Sequence, residues 1–94
     1  DSVQRVGIGN EVPTAKLSVQ GSATLSTSTP SAPDASAVLE VQSTTQGFRI
    51  VPMTSTQASA ITPVEGLILF TSDTNGTFVS IGLWCYQNGA WKAL

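Results

Sequence analysis

Histidine is absent from the 94 residues, and cysteine occurs once, at Cys85. Without histidine there is no Ser-His-Asp or Cys-His machinery, and the commonest metal ligand is missing. One cysteine leaves no zinc set and no intrachain disulfide. Cys85 sits in an apolar-aromatic run with no basic neighbour close in sequence. It therefore reads as a small buried hydrophobe rather than a reactive thiol. Charge is scarce as well: four Lys and Arg against six Asp and Glu, for a net charge of −2. That balance supplies no basic field for nucleic acid and no basic cluster for anionic lipid. The densest apolar stretch, Leu67-Ile68-Leu69-Phe70, is far shorter than the ~18 residues of a membrane span, so no membrane insertion is expected. No signal-peptide pattern is visible. The chain starts at Asp1 rather than Met, which reads as a fragment or a processed product.

The acidic residues are few and scattered: Asp1, Glu11, Asp34, Glu40, Glu65 and Asp73. A glycosidase needs two carboxyls at a fixed gap. Glu40 with Glu65 or Asp73 has no spacing that argues for such a pair. Gly7 and Gly9 lack the third glycine of a dinucleotide loop, since position 12 is Val12. Asp73-Thr74-Asn75-Gly76 lacks the alternating ligands and final Glu of a calcium loop and reads as a turn. Asn75-Gly76-Thr77 matches a glycosylation sequon, which matters only on a eukaryotic secretory route. No enzymatic activity, no metal and no cofactor are expected.

What is present is hydroxyl and repetition. Ser and Thr supply 24 of the residues, unlike the charged surface of a typical cytosolic enzyme. The pattern A-x-L-x-V-Q occurs twice, 22 residues apart, as Ala15-Leu17-Val19-Gln20 and Ala37-Leu39-Val41-Gln42. Each copy alternates apolar and polar residues, the period of a half-buried strand. Ala23 and Leu25 extend the first apolar face past Gly21. Between the copies, residues 26–33 are Ser, Thr, Pro and Ala, and read as extended or polyproline-like linker. A thin, core-poor strand segment of this kind gains burial by pairing with other chains. Leu17, Val19, Leu25, Leu39 and Val41 are the expected subunit-interface residues.

The aromatics are concentrated in the other half. Five of the six, Phe70, Phe78, Trp84, Tyr86 and Trp91, fall in the last 25 residues. A small domain has a thin stability margin, so any core lies there. The expected organisation is an extended fibre-like segment and linker over 1–33 and a compact β-rich head over 34–94. Phe48 and Ile50 alternate with Arg49 and Val51, and Pro52 confines that segment to an edge. Thr54 to Ile61 is the one helix expected, with Thr54 and Gln57 spaced as a capping box and Pro63 as its stop. Strands are expected over Leu67–Thr71, Ile81–Gln87 and Ala90–Leu94. Asn88-Gly89 marks the hairpin between the last two. The last third thus reads as a three-stranded antiparallel meander with a short helix beside it.

Val6-Gly7-Ile8-Gly9, Pro13 and Lys16-Leu17-x-Val19-x-Gly21 resemble a segment common in phage tail fibres and fibre-like bacterial surface proteins. Ala37 to Trp91 is similar to a companion module. Its landmarks are Leu39-Glu40-Val41-Gln42-Ser43-Thr44-Thr45, Gly47-Phe48, Pro52-Met53-Thr54, Glu65-Gly66-Leu67, Asp73-Thr74-Asn75 and Asn88-Gly89-x-Trp91. The two together cover about four fifths of the chain. Two departures stand out. Phe78-Val79-Ser80-Ile81 lengthens the connection after the Asp73 turn, and Trp84-Cys85 replaces a more usual Tyr and Val-like pair. The resemblance implies a mainly β, homotrimeric fibre segment on a virion tail or a cell surface, without catalysis. Three copies would bury their Leu and Val faces on one another and hide their strand edges.

Ligand-binding candidates are Trp84, Tyr86, Asn75, Thr77, Gln87 and Asn88. Leu83 and Cys85 share one strand face, and Trp84 and Tyr86 the other. If Leu83 and Cys85 turn inward, the two aromatics are presented outward, to stack on sugar or on the next subunit. The amide and hydroxyl residues suit glycan hydrogen bonding and are equally ordinary turn formers. The expected function is a structural and adhesive trimeric fibre module of a virion, contributing to host-surface attachment through a glycan or a protein. The alternatives are a capsid-decorating or purely structural trimer, a bacterial surface protein, and a monomeric carbohydrate-binding module.

Overall fold

The computed structural model describes residues 4–94; Asp1, and with it the reading of the chain's start, lies outside the described residues. The protein is mainly β, with eight strands and one short helix among the described residues. It divides into two compact units, residues up to Gly47 and Phe48–Leu94. The division follows the second repeat copy because that copy is hydrogen-bonded to the strand after the first one.

The N-terminal unit is two parallel strand pairs. β1 (Val6–Ile8) pairs with β2 (Leu17–Val19), placing Val6 opposite Leu17 and Ile8 opposite Val19. β3 (Ala23–Ser26) pairs with β4 (Leu39–Gln42), placing Ala23 opposite Leu39 and Leu25 opposite Val41. Each A-x-L-x-V-Q copy therefore ends in the second strand of a parallel pair. Two glycines make the first pair feasible. A Cβ on Gly7 would collide with the Asn10 carbonyl oxygen. Gly9 has φ +72°, and a Cβ there would stand 2.7 Å from the Gln20 carbonyl oxygen. Pro13 is buried behind them, and its carbonyl accepts from the Arg5 guanidinium at 3.1 Å.

The stretch read as an extended linker is held by side-chain hydrogen bonds from β4. The Gln42 amide receives the Ser31 N–H and donates to the Ser31 carbonyl, each at 3.1 Å. Glu40 accepts from the Asp34 N–H at 3.1 Å and from Gln42. Asp34 accepts from the N–H and hydroxyl of Ser36, an Asx turn. The polar face of β4 thus folds the Ser/Thr/Pro loop back onto itself.

The C-terminal unit is a four-stranded mixed sheet in the order β5 (Pro52–Met53), β6 (Ile68–Thr71), β7 (Gly82–Gln87), β8 (Ala90–Ala93). The meander β6-β7-β8 is antiparallel, as its alternation indicates. The addition to it is β5, which joins β6 in parallel at the edge that Pro52 requires. Asn88 and Gly89, at φ 55° and 75°, form the tight hairpin turn. Helix α1 (Ser55–Ser59) carries the reciprocal Thr54–Gln57 capping box and is shorter than Thr54–Ile61. A third clamp comes from outside the helix: the Ser55 N–H donates to Asp73 Oδ1 at 2.7 Å.

One face of this sheet is the core. Leu69, Thr71 and Trp84 are buried beneath Ala58 of α1 and Phe78. Phe78 comes from the lengthened connection noted in the sequence, which turns at Asn75-Gly76-Thr77 and drops its ring edge-on against Trp84, centroids 5.2 Å apart. Trp84 Nε1 and Thr71 Oγ1 both donate to the Ser80 carbonyl, so neither buried polar group is stranded.

Candidate functional site: two apolar sheet faces and an aromatic cleft

The register sets which side chains share a surface. In the N-terminal unit Val6, Ile8, Leu17, Val19, Leu25, Leu39 and Val41 are all exposed, while Ser18, Thr24, Ser26, Glu40 and Gln42 are half-buried. The usual sidedness of a strand is inverted: polar residues are covered by loops and aliphatic ones face out. Leu17, Leu25 and Leu39 keep 62%, 66% and 58% of their surface. Full burial of one such side chain stabilises by about 1.5–3 kcal/mol, which a lone chain forgoes at every position. The five expected interface residues thus lie on strands whose apolar sides are open.

The C-terminal sheet has a second open face. Ile68 stands opposite Cys85, and Phe70 opposite both Leu83 and Pro52. With Phe48 and Ile50, residues Pro52, Phe70 and Leu83 line a shallow groove of about 420 Å³ whose one charged liner is Arg49. An antiparallel sheet with one solvated face normally alternates apolar and polar residues; here the outward face is apolar over Ile68, Phe70 and Leu83 and turns polar only at Gln87 and at Lys92, opposite Cys85.

This arrangement corrects the orientation considered for β7. Trp84 is the inner residue, 4% exposed, and Leu83 and Cys85 face outward. Trp84 therefore belongs to the core and presents no stacking platform. The inner face wins because Leu69, opposite Trp84, and Phe78 enclose the larger ring. Tyr86, also on the inner face, lies near its rim, half-buried, with its ring 5.4 Å from Trp91 at 71°. Trp91 in turn meets Phe78 at 5.4 Å. Thr77, Tyr86 and Trp91, with Ile61 and Pro63, line a cleft of about 410 Å³.

Of the sequence-derived candidates, Thr77 and Tyr86 come together in that cleft. Asn75 pairs with Phe78 through two backbone hydrogen bonds at the neighbouring turn. Gln87 ends β7, and Asn88 occupies the hairpin turn whose Gly89 borders the cleft. Glu65 was not anticipated: its carboxylate accepts the Asn88 N–H at 2.6 Å and the Gly89 N–H at 3.3 Å, clamping that turn. Nothing in its spacing marks it, because the pairing spans more than 20 residues.

Three carboxyls are shifted below their ordinary values. Asp73 is lowered chiefly by the Ser55 N–H, Asp34 chiefly by the Ser36 N–H, and Glu40 by the Gln42 amide and then the Asp34 N–H. Asp73 and Asp34 serve as acceptors at the helix start and in an Asx turn, and Glu40 anchors the preceding loop to β4. Among the described residues, no three of His, Cys, Asp and Glu converge as a metal site would require. No helix among them is long and apolar enough to cross a membrane.

Residues 7–94 match the family described as the phage tail-like trimerisation region. The chain belongs to that family. It is a structural, tail-fibre-like module that self-associates as a homotrimer, and the outward aliphatic faces are what such a module requires. The match runs through both units, from the first strand pair to the last residue. No curated protein and no solved structure matches the chain.

Proposed function

We propose that this trimerisation module is part of a virion tail fibre and contributes to attachment at the host surface, without a catalytic step. The support for attachment is the cleft of Thr77, Tyr86 and Trp91, which offers ring surface beside a hydroxyl. Aromatic faces stack on the apolar faces of sugar rings, and hydroxyl and amide groups fix orientation. The neighbouring Asn75 and Asn88, on exposed turns, and Gln87, at the end of β7, supply further amides. The absence of histidine and the scatter of the carboxylates support a role without catalysis.

The test is adsorption of the purified 94-residue chain to host cells and to a glycan array. Tyr86→Ala and Thr77→Ala should weaken adsorption while leaving the oligomeric mass unchanged. Retained adsorption in both variants would move attachment elsewhere. Absence of binding by the parent chain across a competent host would favour a purely structural trimer.

A further inference from the structure

We infer that the C-terminal unit is itself a trimerisation element, and that its open sheet face is where a second and third copy of this chain pack. The inference rests on the trimeric reading and adds to it the surface used.

Three observations carry it. The sheet already has a complete core on its other side, formed by Ala58, Leu69, Phe78 and Trp84. The outward side chains Ile68, Phe70 and Leu83 are therefore surplus to the fold of a single chain. They are contiguous by register, since Phe70 stands opposite Leu83 and Ile68 opposite Cys85 on neighbouring strands, and Lys92, opposite Cys85 on β8, bounds the patch on that side. Phe48 and Ile50 extend the same patch beyond the β5 edge. A contiguous apolar patch on a small protein marks an interaction surface, and depletion of charge at its centre is the compositional mark of an interface core.

The occupant follows from the family match. The trimerisation region reaches Leu94 and so includes this sheet, not only the N-terminal strand pairs. Closed cyclic symmetry presents the same surface three times around one axis. Three copies of one open face, turned toward that axis, close on one another, each meeting its two neighbours along opposite margins of the face. Arg49 also lines the groove, and an arginine can cover apolar surface with its aliphatic stem while its charge stays at a rim.

The experiment uses the full chain in a Cys85→Ser background with one new thiol at a time. Ile68→Cys places it on the open face, and Val79→Cys places it in the connection that carries Phe78. In a sample that sediments as a trimer, the thiol at 68 should react with a maleimide at least about tenfold more slowly than the thiol at 79, and the two rates should converge in denaturant. Equal native rates in a trimeric sample overturn the inference and leave the trimer to other surfaces. A monomeric parent chain overturns the trimeric reading as well. As a second variant, Leu83→Lys should keep the near-ultraviolet signal of Trp84 and Trp91 while losing trimer mass. If it stays trimeric with unchanged melting, the inference also fails.

Discussion

At the scale of single residues, a few side chains hold positions that no substitute fills. Phe78 is 1% exposed and contacts both Trp84 and Trp91 through its ring. Phe78→Ala should destabilise the C-terminal unit by about 3–5 kcal/mol, from lost transfer energy plus a cavity, read as a fall in the midpoint of chemical unfolding followed by tryptophan fluorescence. Asp73 is different in kind. Its carboxylate fixes the start of α1 through the Ser55 N–H, which holds its pKa below the ordinary 3.8. A group lowered in the folded state contributes stability that is fully present above its unfolded pKa and lost as pH falls through the folded value. Melting temperature should therefore be insensitive to Asp73 from neutral pH down to about 5 and decline below about 4. Asp73→Asn, which keeps an acceptor oxygen, should flatten that acid decline; a variant with an unchanged acid profile would contradict the assignment.

Among the elements, the helix is the one whose boundary chemistry is complete. The Thr54 hydroxyl accepts from the Gln57 N–H, and Gln57 Oε1 in turn accepts from the Thr54 N–H at 2.9 Å. Thr54→Ala should cost about 1 kcal/mol, a drop of roughly 4–8 °C in melting temperature for a small domain. That box was legible because both partners lie within four residues of each other. The Asn88-Gly89 turn and the β6-β7-β8 alternation were legible for the same reason. What the sequence concealed was pairing over distance. The parallel partners of the repeat copies, the addition of β5 to β6, the Glu65 clamp and the Gln42 anchor on Ser31 all join residues that no local period connects. The same limit hid which face of β7 is inner. Alternation separates Trp84 from Leu83 and Cys85, but only the arrival of Phe78 from the preceding connection decides the side. The candidate cleft was half legible: Thr77 and Tyr86 were visible as exposed-turn and strand residues, whereas Ile61 and Pro63 arrive from the end of the helix.

For the whole molecule, the decisive property is how little of its aliphatic surface one chain covers. The N-terminal strand pairs turn their Leu, Val and Ile side chains outward, and the C-terminal sheet keeps an apolar face beyond its finished core. In a homotrimer each of these faces has copies of itself to bury against. Leu17→Asp or Leu39→Asp would place an unpaired charge inside such an interface, which desolvation strongly opposes. Each should dissociate or loosen the assembly while leaving the C-terminal core intact, as read by sedimentation alongside near-ultraviolet circular dichroism. The most direct measurement is the native mass of the 94-residue chain at micromolar concentration. Three copies of a 9.7 kDa chain predict a species of about 29 kDa. A folded, cooperatively melting species of 9.7 kDa would contradict the account.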